Sequence, residues 1–176
     1  MAYFFFYVVT GILFLVLQTT LFSKFQFLGV GPDLLLITAI YISLSRGGIT
    51  SLLLIMIFGH LIDICSSAPS GFFLYSFLIL YLIIRFGKRL IMLEGQTYLV
   101  IWVGVYTIIQ GILLCILSRF HYVGEGFSNF VLVRLFPQAL YNMVISLLLL
   151  PVLAWFGGLL GITPEEGQKI SPMGQF

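Results

Sequence analysis

Between Thr97 and Leu117 the chain carries no charged side chain. Between Gly47 and Ile84 its only ionisable groups besides cysteine and tyrosine are His60 and Asp63. Roughly 20 consecutive apolar residues suffice for a helix to cross a hydrocarbon core about 30 Å thick. Only 8% of the residues are charged, against about a quarter in soluble domains. With a mean hydropathy of +1.17, such a chain cannot clothe a water-facing surface. It reads as an all-α integral membrane protein.

Six transmembrane helices are expected, in a single membrane domain: residues 3–22, 32–44, 47–64, 71–84, 97–117 and 136–161, followed by a short cytoplasmic tail, 162–176. The N-terminal M-A-Y-F-F-F-Y lacks the basic region of a secretion signal, and no A-x-A site follows its apolar run, so it reads as an uncleaved span. A dozen residues in the second span rise only about 20 Å. That span must borrow length from the apolar Phe25–Val30 or sit wholly among its neighbours. Pro151 should kink the sixth. The segment Ser118–Leu135 reads as the largest loop, its F-S-N-F-V-L-V-R-L able to lie in the interface. In the tail, Thr163, Pro164 and Glu166 form a helix-start signature.

Lysine and arginine set orientation. With the N-terminus inside, the cytoplasmic segments carry Arg46, Arg85, Lys88, Arg89 and Lys169, and the outer ones Lys24, Arg119 and Arg134. Both termini are therefore expected in the cytoplasm. Tyr98, Trp102, Phe120 and Tyr122 bracket the fifth span as interfacial aromatics. A net charge of +2 with no basic run argues against nucleic-acid binding. Two cysteines, Cys65 and Cys115, are too few for a disulfide framework or a metal cage. A disulfide between them is chemically permitted, but packing as small buried apolar groups is favoured.

The polar residues carry what function the chain advertises. Asp33, in G-P-D-L-L-L, stands where a carboxylate accepts bonds from the free donors of a helix start; a partner could also use it. Asp63 lies near the end of its own helix, where free carbonyls make a carboxylate unwelcome. Counted from Arg46, it sits about 25 Å across the membrane. Three readings stand for it: a cap for the turn S-S-A-P-S-G before the next span, an ion pair with Arg119 or Arg134, or a contact for an external group. His60, one turn back, can share its face. No nucleophile–base pair or catalytic motif accompanies them, so no catalytic residue, cofactor or metal is assigned. Gly157–Gly161 forms a G-x-x-x-G, and Gly104, Thr107 and Gly111 give the fifth span a small-residue edge for close helix packing.

Several motifs converge. L-Q-T-T-L-F at Leu17–Phe22 is followed by G-V-G-P-D-L-L-L-I at Gly29–Ile37, then by a G-x-x-x-D and small-residue turn of Gly59, Asp63, Ser66, Pro69 and Gly71. Together they resemble the bacterial rod shape-determining MreD family over Leu15–Leu82; the later half is similar in its pattern of spans. The resemblance implies a non-enzymatic inner-membrane scaffold of the cell-elongation machinery, among membrane lipids. Its partners would be the bitopic coiled-coil protein MreC, a glycosyltransferase–transpeptidase synthase pair and, indirectly, the actin-like MreB filament. It also implies a compact bundle resembling the substrate-binding subunit of energy-coupling-factor transporters. The family-motif positions fall on Gln18, Pro32, Asp33, Gly59, Asp63, Pro69 and Gly71. His60 departs from the pattern, standing where the family often has an apolar residue or glycine, and Ser67 stands where glycine is common. A solute-binding transporter subunit is the alternative. It would carry an A-x-x-x-A edge on its first helix, where Tyr3–Phe22 contains no alanine. It would also need several polar groups converging on a pocket, and the outer segments offer only Gln26, His121, Glu125 and Asn129.

Overall fold

The structure is a computed structural model of the 176-residue chain and describes residues 2–20, 31–45, 48–66, 68–88, 96–120 and 125–159. These form six helices: α1 (Ala2–Thr20), α2 (Leu34–Ser45), α3 (Ile49–Cys65), α4 (Phe72–Lys88), α5 (Gln96–Phe120) and α6 (Glu125–Leu159). Three contain segments long and apolar enough to cross a membrane: Tyr3–Thr20, Tyr98–Arg119 and Val133–Gly158. The other three are shorter apolar helices.

In α2 apolar residues run all the way round, a pattern that demands burial on every side. Every residue from Leu34 to Leu44 is indeed buried, and α2 touches each of the other five helices. Twelve residues rise about 18 Å, well short of a bilayer core, so α2 is enclosed by protein. Its Leu35, Ile37, Ile40 and Ile42 pack with Phe58, Phe77, Tyr7 and Tyr106 in the core. The outer faces of α1, α5 and α6 expose large apolar residues such as Phe5, Val9, Ile101, Ile112, Phe136 and Leu148, as lipid-facing surfaces do.

Several hydroxyls inside these helices bond the main chain one turn back, as an apolar medium favours, whereas the buried Ser76 Oγ of α4 has no partner. Thr10 donates to the Phe6 carbonyl at 2.8 Å, Thr38 to Leu34 at 2.8 Å and Ser43 to Ala39 at 2.6 Å. Helix pairs approach where side chains are smallest. A Cβ on Gly59 would lie 2.7 Å from the Leu74 Cα, so α3 and α4 meet nearly backbone to backbone. On α5, a Cβ on Gly104 or Gly111 would collide with Met143 or Leu135 of α6. The small-residue edge of α5 therefore seats α6, and the α5–α6 pair is the most extensive in the bundle.

Two expectations need correction. The segment Ser118–Leu135 is not an extended loop: α5 runs to Phe120 and α6 begins at Glu125. The F-S-N-F-V-L-V-R-L stretch is instead part of α6, which continues without a break through Pro137 and Pro151. Each proline lacks an N–H and so leaves the carbonyl four residues earlier, of Val133 or Leu147, without its helical donor. Second, Cys65 is exposed rather than buried, with Cys115 half-buried, both as thiols. Lys24, Arg46, Arg89 and Lys169, half of the lysines and arginines behind the orientation reading, lie outside the described residues. So do Phe25–Val30, Gln26, Ser67, His121, Tyr122, Gly161 and the tail signature of Thr163, Pro164 and Glu166.

Candidate functional site

Helix α3 begins four residues after α2 ends and packs against it, so the start of α2 and the end of α3 lie toward the same end of the bundle, and each holds a carboxylate.

Asp63, only 8% exposed, reaches from the last turn of α3 to the first turn of α4. Its Oδ1 accepts from the Phe73 amide at 2.8 Å, and its Oδ2 from Gly71 at 3.1 Å and Leu74 at 3.2 Å. The first N–H groups of any helix lack intrahelical partners. At α4 the rest are taken by main chain: Phe72 donates to the Pro69 carbonyl at 3.1 Å, and Tyr75 to Gly71 at 2.9 Å. The carboxylate also meets the positive end of the α4 dipole, which offsets its awkward place at the end of α3. Gly71 holds a φ of +89°, which residues with a Cβ rarely adopt, and this lets the chain reverse from Pro69 into α4. Ser66 braces the turn by donating to the Asp63 carbonyl at 3.3 Å and accepting from the Ala68 amide at 3.4 Å. Asp63 thus caps the helix after its own, and its oxygens face main-chain donors.

Asp33 caps α2. Its Oδ1 accepts from the Leu36 amide at 3.0 Å, and its carbonyl takes the first helical bond, from Ile37, at 3.1 Å. Pro32 before it is buried, fixing the approach of the chain. Gln18, at the end of α1, lies beside the Asp33 side chain. The Asp33 amide donates to Asn142 Oδ1 on α6 at 2.9 Å. The other end of that amide, Asn142 Nδ2, donates to Thr107 Oγ1 on α5 at 3.2 Å, and Thr107 in turn donates to the Val103 carbonyl at 2.7 Å. A continuous polar chain therefore ties the start of α2, α6 and α5 together inside the bundle.

The motif residues fall into two groups. Gly59, Asp63, Pro69 and Gly71 build the α3–α4 turn; Gln18, Pro32 and Asp33 build the α1–α2 end. His60 joins neither. It is exposed, whereas Asp63 is buried, because residues three apart are turned about 60° on a helix and the edge of the covered face passes between them. Among the described residues no group of three His, Cys, Asp or Glu side chains could hold a metal ion. Sequence reasoning passed over Asn142 and Gln110, and took Thr107 only as part of a small-residue edge. A scan for charges cannot see them; a scan for amides in long apolar runs would have.

Compared with known families, residues 1–159 match the family model described as rod shape-determining protein MreD. No curated protein and no solved structure matches the chain.

Proposed function

The chain belongs to the MreD family of rod shape-determining membrane proteins, and we propose that it serves there as a non-enzymatic scaffold of the cell-elongation machinery. In this reading it crosses the cytoplasmic membrane six times with both termini inside, and binds the bitopic protein MreC. Through MreC it helps control the glycosyltransferase–transpeptidase pair that builds rod-shaped peptidoglycan, with the MreB filament coupled indirectly. The observation that carries this reading is the use made of the two motif carboxylates. Asp33 and Asp63 accept bonds from the first main-chain N–H groups of α2 and α4, so they fix the shape of one end of the bundle. A rigid, shaped end is what docking of a partner's helix and coiled coil requires. The motif glycines act to the same purpose: Gly59 draws α3 onto α4, and Gly71 permits the turn between them.

The test is affinity purification of the tagged chain from its native membranes in mild detergent, with co-purifying proteins identified by mass spectrometry. Recovery of a bitopic coiled-coil protein together with the synthase pair supports the scaffold. Recovery of an ATPase pair with a coupling subunit refutes it in favour of a solute-binding transporter subunit.

A further inference from the structure

His60 takes no part in either helix cap. It is exposed, and it makes no hydrogen bond or ion pair among the described residues. It stands five residues before the end of α3, about 8 Å down the helix, and a helical side chain leans toward the start of its own helix. The imidazole is therefore aimed into the hydrocarbon, away from the nearer surface. The face around it is apolar: Leu53 is 46% and Ile64 68% exposed, and Ile57 is partly buried. Leu53, Ile57, His60 and Ile64 follow one another at spacings of four, three and four residues, the repeat of a seam between two packed helices. Among the described residues nothing fills that seam. Helix α3 packs on α1, α2 and α4 by other sides, with Phe58 against Gly11 of α1 and Gly59 against Leu74 of α4.

We infer that this seam is the docking face for a partner's single transmembrane helix, with His60 as the polar contact that fixes that helix in register. The inference rests on the scaffold reading, which requires a bitopic partner, and says where that partner's helix lies. Lipid tails cover Leu53, Ile57 and Ile64 well, but they offer an imidazole nothing, and headgroups stay at the surface. A helix satisfies its own main chain and can carry a hydroxyl or amide at the depth of His60. One polar side chain in an otherwise apolar seam sets register and choice of partner at some cost in stability. The occupant is thus a helix apolar along the face it presents, with one Ser, Thr, Asn or Gln level with His60.

A photoreactive benzophenone side chain placed at Leu53 or Ile64 of the tagged full chain, and irradiated in native membranes, tests the face. Ile112, exposed on α5, is the control position. Leu53 and Ile64 should crosslink to the transmembrane helix of the bitopic protein that co-purifies with the chain, identified by mass spectrometry of the joined peptides, and Ile112 should not. His60→Leu should lower the yield from Ile64 about three- to tenfold, the range expected for one interhelical hydrogen bond. His60→Gln, which keeps a donor and an acceptor, should restore most of it. Because His60 bonds to no described residue, His60→Leu should unfold no earlier than the parent, so a lost crosslink is not a lost fold. If the bitopic protein co-purifies but Leu53 and Ile64 crosslink to lipid, to a second copy of the chain, or no more than Ile112, the inference is overturned and the scaffold reading stands. Yields unchanged in His60→Leu overturn it in the same way, as does a His60→Leu protein that unfolds far earlier, since the imidazole would then serve the fold. If no bitopic protein co-purifies, both readings fall.

Discussion

Replacing Asp63 by alanine removes the acceptor of three N–H groups at once, those of Gly71, Phe73 and Leu74. Loss of an ordinary helix cap costs about 1 kcal/mol and up to about 2. Here the site is nearly closed to water, and a donor left unsatisfied in the interior costs about 1–3 kcal/mol. Phe73 and Leu74 are only half-buried, so rearrangement recovers part of the loss, and a net cost of about 3 kcal/mol is expected for Asp63→Ala. Asparagine keeps the outline of the side chain but only one acceptor oxygen. If that oxygen keeps the 2.8 Å bond to Phe73, its NH2 group is turned toward the N–H groups of Gly71 and Leu74, donor against donor. About 2 kcal/mol is expected for Asp63→Asn. Amide hydrogen exchange of the purified protein reads this directly, because each 1.4 kcal/mol is tenfold in an opening equilibrium. Exchange at Phe73 and Leu74 should quicken about 100-fold in the alanine variant and about 30-fold in the asparagine variant, with far smaller changes in α5. Exchange at these amides within about threefold of the parent in both variants would refute the capping role and return Asp63 to the list of ligand or partner contacts.

Two further outcomes follow from the packing. Gly59→Ala should destabilise the chain by about 1–3 kcal/mol, because its Cβ meets the Leu74 main chain at 2.7 Å, whereas Gly104→Ala should cost less than about 1 kcal/mol, since its obstacle is the flexible Met143 side chain; equilibrium unfolding in detergent mixtures ranks the pair, and the reverse order would refute the assignment. Asn142→Leu should cost about 2 kcal/mol in the same assay, since it orphans the Asp33 amide and removes the donor to Thr107; pairing it with Thr107→Val should then cost clearly less than the two separate losses combined.

Much of the architecture can be read from apolar runs alone. The helices α1, α3 and α5 begin and end within a few residues of the expected spans because charged, Gly or Pro residues interrupt hydropathy there. The start of α6 was not legible: Arg119, Glu125 and the glycines beside it interrupt the apolar run, so hydropathy alone reads the segment as a loop. At the candidate site the carboxylates stand out because a charge in an apolar run has no cheap explanation. That Asp63 caps α4 rather than pairing with an arginine was one of several open readings, since the choice depends on how the S-S-A-P-S-G turn folds back. Asn142 adds little to any charge or hydropathy count, so the residue joining α5 and α6 to the start of α2 was silent. The His60–Asp63 pairing failed for a geometric reason, because only neighbouring helices decide where the covered face of α3 ends.

The enclosure of α2 has a consequence for how the protein is made. Synthesis delivers α2 second, yet the groups that close around it come from both ends of the chain, and the amide that holds its first residue belongs to α6, the last helix. Too short to cross a bilayer core unaided, α2 gains its permanent surroundings only as α5 and α6 arrive to cover it. Chains released before Asn142 would leave the Asp33 amide without its acceptor and α2 without the cover of α6.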